Sequence, residues 1–319
     1  MTSATRRHTG KLPQRTEAVI CVAALALWLG VTALYIGFRG EHLVLAILVA
    51  ALFFVTPATR RLIVALAPFF LFGISYDWMN LLPNYEVNPV DTIGLYTAEK
   101  SLFGIETIAG RLTPNEFFAL HTNRIANFLG GIFYLCWVPL PIIFGLWQYF
   151  SGRRMPYLHF AIVFLLVNLI GFAGYYIHPA APPWYVAEHG FTAVPGTPGS
   201  VAGLGAFDAM TGLGIFDALY ARNANVFAAL PSLHSAYTLV AFIYAMRYPT
   251  PAAWRIVLAV VTAGIWTTAV YTSHHYIIDV IGGIICAIAG YLLFEYAIMR
   301  LPGMRRFMER YAAYITPNS

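Results

Sequence analysis

Two short strings carry residue types that can do chemistry. They are Pro-Ser-Leu-His-Ser at residues 231–235 and His-His-Tyr-Ile-Ile-Asp at residues 274–279. A histidine and an aspartate four residues apart lie on one helix face, so Asp279 can hold one ring nitrogen of His275 and leave the other free as a base or nucleophile. His234 can then serve as the acid. The two strings together predict a phosphoryl-transfer site.

The amino-acid composition indicates whether these strings lie in a soluble protein or in a membrane protein. Of the 319 residues, 59% are hydrophobic and 10% are charged, and the mean hydropathy is +0.68. Soluble domains carry about 25% charged residues, and only helices or closed barrels satisfy their backbone in lipid. We therefore expect an all-α, polytopic membrane helical bundle. The net charge of +5 comes from short arginine clusters between apolar runs, which excludes a nucleic-acid partner.

Apolar runs predict the membrane spans, which need about 17–25 residues each. Six runs have this length, and two further runs are shorter. The long runs are 18–38, 61–78, 127–150, 157–177, 254–272 and 277–299, and the short ones are 42–55 and 234–246. This gives about eight spans. Six is the alternative, with the short segments re-entrant or fused with a neighbour.

The basic residues divide unequally between the two sides of an eight-span topology. Fourteen of the 19 Lys and Arg fall on the side that holds both termini. The other side holds five, which are Arg39, Lys100, Arg111, Arg124 and Arg222. The positive-inside rule then places the termini in the cytoplasm. Both strings lie on the opposite side, so we expect an extracytoplasmic or luminal active site in a multi-pass membrane protein.

Four regions follow from this topology. Residues 1–17 form a polar cytoplasmic N-terminus, residues 18–126 hold the N-terminal spans and surface helices, residues 127–299 form the core bundle, and residues 300–319 form a basic cytoplasmic tail. The string Thr-Pro-Asn-Glu at 113–116 predicts the start of a short surface helix, because Thr caps, Pro suits the first turn and Glu follows early.

A third string, Tyr-Tyr-Ile-His-Pro-Ala-Ala-Pro-Pro-Trp-Tyr at 175–185, ends the fifth span on the same side as the first two. The glycine- and proline-rich segment 178–233 that follows is long, and loops of that length usually form lids or binding loops. Three separate strings are thus expected to meet at one membrane face.

The motif pair resembles a known family. Pro-Ser-Leu-His at 231–234, followed by His275 and Asp279, is similar to the type 2 phosphatidic acid phosphatase superfamily, which also includes haloperoxidases. The resemblance covers roughly residues 120–299. The family pattern has a first part with Lys and Arg before Pro, then Pro-Ser-Gly-His, then Ser-Arg, five residues, His, three residues and Asp.

The departures from that pattern indicate a branch. Leu233 replaces the glycine, Thr268 and Ala269 replace Ser-Arg, and the 175–185 string stands where the Lys and Arg of the first part are expected. A phosphate monoester carries about two charges and needs those cations, whereas a diester carries one. The strings look most like the inositol phosphorylceramide synthase branch. Arg124, Arg222 or His178 remain alternative sources of a cation.

The resemblance implies roles for the site residues. His275 attacks phosphorus and forms a phosphohistidine, Asp279 orients His275, and His234 protonates the leaving alkoxide and then deprotonates the acceptor. Ser232 and helix-start N–H groups hold the phosphoryl oxygens, and no metal or cofactor is expected. The further candidate substrate-binding residues are Tyr175, His178, Trp184, Tyr185, Tyr271, His274 and Arg124.

These roles predict a membrane lipid phosphotransferase of sphingolipid metabolism, which moves a phosphoinositol-type headgroup from a phospholipid donor to a lipid hydroxyl such as that of ceramide. A lipid phosphate phosphatase is the close alternative, with water as acceptor and phosphatidic acid-like or polyprenyl phosphate monoesters as substrates. A lipid or anion transporter that uses the buried histidines as a gate is the alternative of another class. Metal binding by His274, His275 and Asp279 is a further alternative.

Overall fold

The computed structural model describes residues 12–108, 110–221 and 225–317. Helices make up most of this part of the chain, and the two strands form one small hairpin. The helices are α1 (Arg15–Val31), α2 (Gly40–Val55), α3 (Pro57–Ala65), α4 (Ala67–Trp78), α5 (Gly94–Phe103), α6 (Pro114–Leu120), α7 (Arg124–Leu135), α8 (Pro139–Phe150), α9 (Arg154–Ile177), α10 (Pro183–His189), α11 (Gly205–Thr211), α12 (Ile215–Tyr220), α13 (Leu233–Arg247), α14 (Ala252–Tyr271), α15 (Ile277–Leu292) and α16 (Pro302–Ile315). The strands are β1 (Ile105–Thr107) and β2 (Gly110–Leu112).

Within the described residues, four helical segments are long and apolar enough to cross a membrane, by length and composition. They are Arg15–Ile36, Arg154–Ile177, Ala252–Tyr271 and Ile277–Arg300. Two bent pairs, Pro57–Ala65 with Ala67–Leu81 and Arg124–Leu135 with Pro139–Phe150, raise the number to six if each pair is one span. The all-α membrane bundle is confirmed. The eight apolar runs all fall on helices, and the count of eight stays a prediction.

Proline explains why two of the predicted spans bend. The pair α3 and α4 bends by 50°, and the pair α7 and α8 bends by 45°. Pro68 lies in the first turn of α4, and Pro139 begins α8. Proline suits a first helical turn but removes a hydrogen bond inside a helix, so each apolar run splits into two helices at this point.

Helix α9 lies at the centre of the core. It packs against α4, α8, α13, α15 and α16, and Tyr157, Phe160 and Phe164 are buried on it. Tyr237 of α13 donates a hydrogen bond to the buried side chain of Asn168 on α9. The ends of α9, α13 and α15 are therefore fixed relative to one another, and this arrangement positions the three strings.

The region between the spans forms a cap over the bundle. It contains α5, the β1–β2 hairpin, α6 and α10 to α12. Helix α6 begins as predicted: the Thr113 hydroxyl accepts from the Glu116 N–H at 3.2 Å, and the Glu116 carboxylate accepts from the Thr113 N–H at 2.7 Å. This reciprocal pair is a capping box, and it fixes the helix start that leads to Asn115.

Glycines allow the 230–233 segment to lie between α9 and α15. A Cβ at Gly174 of α9 would come 2.8 Å from the Pro231 ring, and one at Gly282 of α15 would come 2.7 Å from Leu230. A Cβ at Gly283 would overlap the backbone carbonyl of Ser232. Small residues permit such close backbone approach between membrane helices. Gly283 thus holds the start of α13 directly against α15.

Gly283→Ala should therefore disturb the site without touching a polar side chain. The added methyl meets a backbone carbonyl that cannot rotate away, and overpacking of this kind costs about 1–3 kcal/mol. We expect a lower melting temperature and at least a tenfold loss of activity. Gly30→Ala is the matched control, because nothing lies within 4 Å of a Cβ at Gly30. Equal activity of the two variants would contradict the close contact.

Candidate active site

A cavity of about 570 Å³ lies where the three strings meet. The end of α9, the start of α13 and the loop before α15 form its walls, and α12 of the cap covers it. Residues that bear on its chemistry include Tyr175, Trp184, Tyr220, His234, His274 and His275. The structure thus brings the sequence-predicted strings to one site.

His234, His275 and Asp279 form a chain of contacts in this site. The Nδ1 atom of His234 lies 3.1 Å from Nε2 of His275. The Nδ1 atom of His275 lies 3.5 Å from a carboxylate oxygen of Asp279. Each ring nitrogen of His275 therefore has its own neighbour, and Nε2 is the nitrogen next to the second histidine. Asp279 is fully buried, and its carboxylate accepts from the Tyr276 N–H at 2.8 Å.

Two aromatic rings hold His234. Tyr134 of α7 stacks on it with ring centroids 5.0 Å apart, and Trp137 contacts it at 4.5 Å. Trp137 also stacks on Tyr237, one helical turn further along α13. These contacts limit the rotation of the His234 ring and leave its Nδ1 directed at His275.

The loop before α15 is held by its backbone. The N–H groups of His274 and His275 both donate to the Ala269 carbonyl at 3.0 Å. The side chain of Asn115 donates to the carbonyls of Val270 and His275 at 2.8 and 2.9 Å.

Burial lowers the pKa of the His275 imidazole to about 4, which keeps this ring uncharged at neutral pH. An uncharged imidazole retains the lone pair that a nucleophile requires.

A buried glutamate caps α15. Glu99 of α5 is fully buried, and its carboxylate accepts from the N–H groups of Ile277 and Ile278 at 2.9 and 3.1 Å. Burial raises the pKa of the Glu99 carboxyl, while the two backbone donors act in the opposite direction. The expectation that the start of α15 offers free N–H groups to a phosphate is wrong for these two amides, because Glu99 already occupies them.

Three of the predicted substrate-binding residues line the cavity. Tyr175 lies at the end of α9, Trp184 lies on α10, and His274 lies beside His275. The Trp184 N–H donates to the carbonyl of Ser273 at 2.9 Å, which ties the third string to the loop before α15. His274 lines the cavity, as its place among the candidate substrate-binding residues requires.

Ser232 and Tyr185 are buried next to the cavity but do not line it. The Ser232 hydroxyl accepts from the Ser235 hydroxyl at 3.0 Å and caps α13. The Tyr185 hydroxyl donates to the Thr192 carbonyl at 2.9 Å and holds the segment after α10. The contact of Ser232 with phosphoryl oxygens stays a prediction. The Ser232 backbone joins the two motifs, because its N–H donates to the Asp279 carbonyl at 2.9 Å.

The remaining predicted residues lie away from the cavity. His178 is half exposed and pairs with Asp91 at 3.1 Å. The Tyr271 hydroxyl donates to Asn127 at 2.6 Å and borders a separate cavity of about 530 Å³. Arg124 is exposed at the start of α7, ten residues and therefore roughly 15 Å along that helix from Tyr134.

Positive side chains do not line the described part of the cavity. Among the residues that the structure describes, those that line the cavity include neither lysine nor arginine. Arg222, a candidate for a replacement cation, lies outside the described residues. In the same described part of the chain, no group of three or more His, Cys, Asp or Glu side chains has the arrangement of a metal site.

Several residues of the site carry no sequence motif. Glu99 is separated by 178 positions from the helix it caps, and Asn115 by 160 positions from His275. Tyr134 and Trp137 lie in an apolar run in which aromatic residues are common. The burial of Glu99, which is unusual for an acidic residue without a partner, becomes visible only in the structure.

Glu99 should position the catalytic strings without contacting substrate. Glu99→Ala leaves two buried N–H groups without acceptors, and each unsatisfied group costs about 1–3 kcal/mol. We expect at least a tenfold lower kcat with a smaller change in KM, and an intermediate kcat for Glu99→Gln, which keeps one acceptor oxygen. Glu106→Ala is the control, because the Glu106 side chain is 76% exposed. Wild-type kcat in Glu99→Ala would show that the cap is dispensable.

Comparison with known proteins agrees with this geometry. The PAP2 superfamily model matches residues 108–293, which is more than half of the chain. A phosphoinositol dihydroceramide synthase of Bacteroides thetaiotaomicron is 55% identical over 306 residues, which cover 95% of this chain and 100% of that protein.

More distant similarity extends to fungal proteins. The inositol phosphorylceramide synthase of Candida albicans is 26% identical over 243 residues, covering 74% of this chain and 49% of that protein. The inositol phosphorylceramide synthase catalytic subunit of Saccharomyces cerevisiae is 25% identical over 260 residues, which cover 76% of this chain and 58% of that protein. No solved structure matches the chain. The chain is an integral membrane protein by its apolar helices and these relatives, and it belongs to the PAP2 superfamily.

Proposed function

We propose that this protein transfers a phosphoinositol headgroup from a phospholipid to the hydroxyl of a ceramide-type lipid. The observation that carries this proposal is the hydrogen bond between His234 and His275 in a cavity whose described lining has no lysine or arginine. The names of the similar proteins, phosphoinositol dihydroceramide synthase and inositol phosphorylceramide synthase, support the same substrates.

The charge of the cavity favours a phosphodiester over a monoester. A monoester brings about two negative charges at neutral pH, and a diester brings one. Burying two charges without a nearby cation is strongly unfavourable, whereas one charge can be balanced by an imidazolium that forms during the reaction. A headgroup that stays linked to lipid through a diester therefore fits this site better than a free lipid phosphate.

The resting positions of the two imidazole rings support an assignment of the first step. The Nδ1 atom of His275 lies 3.5 Å from the Asp279 carboxylate, so we place the proton on this nitrogen and the lone pair on Nε2. His234 then donates its Nδ1 proton to that lone pair. When the anionic phosphodiester enters between the rings, His234 takes up a proton and becomes an imidazolium. Nε2 of His275 then attacks phosphorus, the bond from phosphorus to the diacylglycerol oxygen breaks, and the Nδ1 proton of His234 passes to that leaving alkoxide, which leaves a neutral His234 ring.

The second step reverses these roles. His234, now without its Nδ1 proton, takes the proton of the acceptor hydroxyl, and the resulting oxygen attacks phosphorus. The bond from phosphorus to His275 breaks, and the electron pair returns to Nε2. Asp279 stabilises the positive charge that the His275 ring carries in the phosphorylated state.

The lipid tails have a path into the bundle. Phe72 and Tyr76 of α4, Phe172 of α9 and Trp137 extend the cavity lining from the histidines between the helices. An apolar path next to a polar reaction centre suits a substrate with a buried chain and a reactive headgroup. The donor phospholipid and the acceptor are thus both membrane lipids in this proposal.

We also propose cytoplasmic termini and an extracytoplasmic or luminal site, from the unequal distribution of basic residues. The catalytic unit in this proposal is the bundle of residues 127–299, and the spans and surface helices of residues 18–126 supply the Glu99 and Asn115 contacts.

Lipid products test the proposal directly. Purified protein in mixed micelles receives phosphatidylinositol with and without ceramide, and phosphatidic acid in a separate reaction, and lipids are followed by mass spectrometry. We expect inositol phosphorylceramide, with one diacylglycerol for each molecule formed, in the presence of ceramide. His275→Ala should lower the rate by at least a thousandfold, because it removes the nucleophile, and His121→Ala is the matched control on an exposed histidine.

A different product would contradict the proposed headgroup transfer. Release of inorganic phosphate from phosphatidic acid without any headgroup transfer would make the protein a lipid phosphatase. That outcome requires a cation at the site, and Arg222 would be the first residue to substitute.

A further inference from the structure

We propose that His274 selects the donor lipid by accepting a hydrogen bond from a hydroxyl of a polyol headgroup. This inference rests on the function proposed above and extends it to a single specificity-determining residue. The ligand in this proposal is a phosphodiester whose phosphate carries a hydroxylated ring. His274 recognises a hydroxyl of that ring and not the phosphate.

The hydrogen bonds of Thr272 determine which nitrogen of His274 carries the proton. The Thr272 hydroxyl donates its hydrogen to the Thr268 carbonyl at 2.7 Å. Its oxygen therefore acts as an acceptor toward Nδ1 of His274, at 3.2 Å. The Thr272 carbonyl is a second acceptor for the same nitrogen, at 3.1 Å. Nδ1 must donate to both, so in the uncharged ring Nε2 is a lone-pair acceptor.

This acceptor has no partner within the protein. His274 is only 4% exposed, and its Nε2 atom is buried without a hydrogen bond to any residue that the structure describes. A buried polar atom without a partner is costly, so its lack of a partner needs an explanation. Because His274 lines the reaction cavity, a bound substrate is the natural source of the missing donor.

The charge state of His274 agrees with an acceptor role. Burial and, to a smaller extent, the neighbouring His275 and His234 hold the pKa of the His274 imidazole well below its usual range. An uncharged imidazole offers a lone pair to a hydroxyl, whereas an anionic phosphoryl oxygen would require a donor at this position. The recognised group is therefore a hydrogen-bond donor.

Two tyrosines complete the wall beside His274. The Tyr220 ring lies 4.7 Å from the His274 ring, and the Tyr134 ring lies 5.4 Å from it. The hydroxyls of Tyr134 and Tyr220 are buried and neighbour each other. Neither hydroxyl has a hydrogen-bond partner among the described residues, and Tyr220 lines the cavity, so its hydroxyl is a second polar group that a bound polyol can satisfy. A polyol carries hydroxyls that donate and accept, and it satisfies both groups at once.

The position of this wall fits a headgroup attached to the reacting phosphorus. His274 precedes His275 in the chain, and the Tyr134 ring contacts both His274 and His234. A phosphoryl group between His234 and His275 therefore has its ring substituent within reach of Nε2 of His274. The described lining contains no aspartate or glutamate, so a cationic headgroup would find no carboxylate there.

Donor preference in two variants tests the proposal. His274→Phe keeps an aromatic ring against Tyr134 and Tyr220 but removes both nitrogens, and His274→Gln keeps a polar group that can accept. Transfer to ceramide is measured with phosphatidylinositol and, separately, with phosphatidylcholine, which has no donor on its headgroup. Loss of one neutral hydrogen bond should lower kcat/KM for phosphatidylinositol about tenfold in His274→Phe.

The kcat/KM for phosphatidylcholine should not fall with it, so the ratio of the two kcat/KM values should shrink about tenfold in His274→Phe. His274→Gln should recover part of the preference for phosphatidylinositol. His121→Phe is the matched control, because His121 is exposed and its ring bonds only to the Phe117 carbonyl in the described structure. A melting curve for each variant separates misfolding from lost recognition, and the ratio of donors does not depend on the amount of folded enzyme.

The outcomes are distinguishable. Wild-type enzyme that transfers phosphoinositol, together with a His274→Phe variant that keeps the wild-type donor ratio, overturns the role of His274 and leaves the proposed function intact. A loss of both rates to the same degree shows that His274 is structural and also overturns the proposal. Wild-type enzyme that transfers nothing from phosphatidylinositol overturns the proposed function and this inference with it.

Discussion

Three consecutive backbone N–H groups at the start of α15 donate to two buried carboxylates. The Tyr276 amide donates to Asp279, and the Ile277 and Ile278 amides donate to Glu99. In an apolar surrounding, neither a carboxylate nor a helix-start amide is tolerated without a partner, so each satisfies the other. This mutual requirement fixes the helix that carries Asp279 and joins the cap to the bundle. His275, two residues before the first residue of α15, takes its position from the same contacts.

The rest of the site follows from that fixed point. Asp279 faces His275, His275 faces His234, and His234 is held between Tyr134 and Trp137. In the proposed mechanism an imidazolium balances the negative charge of the substrate, because the described lining of the cavity has no lysine or arginine. A cavity of this kind suits a singly charged phosphodiester. In the proposed mechanism the lipid hydroxyl reaches phosphorus through the apolar path between the helices. Family membership and physical constraint thus favour the same chemistry.

The sequence predicted the candidate catalytic residues more completely than the residues that hold them in place. His234, His275 and Asp279 could be found because their types and spacing are unusual in apolar runs, and the all-α bundle followed from composition. Glu99 and Asn115 could not, because their contacts depend on how the cap folds over α15, far from them along the chain. The helix-capping contact of the Ser232 hydroxyl was not predicted, and its contact with phosphoryl oxygens stays a prediction. The break at Pro139 within the run 127–150 was not predicted, because a count of apolar residues treats the run as one span.

The central claim is that phosphorus bonds to Nε2 of His275 during turnover. The most direct measurement is a rapid quench of the enzyme with phosphatidylinositol and no acceptor, under conditions that preserve phosphohistidine, followed by peptide mass spectrometry of the 274–279 segment. The account predicts an inositol phosphate adduct on His275 that disappears when ceramide is added. An adduct on another residue, or none under conditions that trap a known phosphohistidine enzyme, would contradict it.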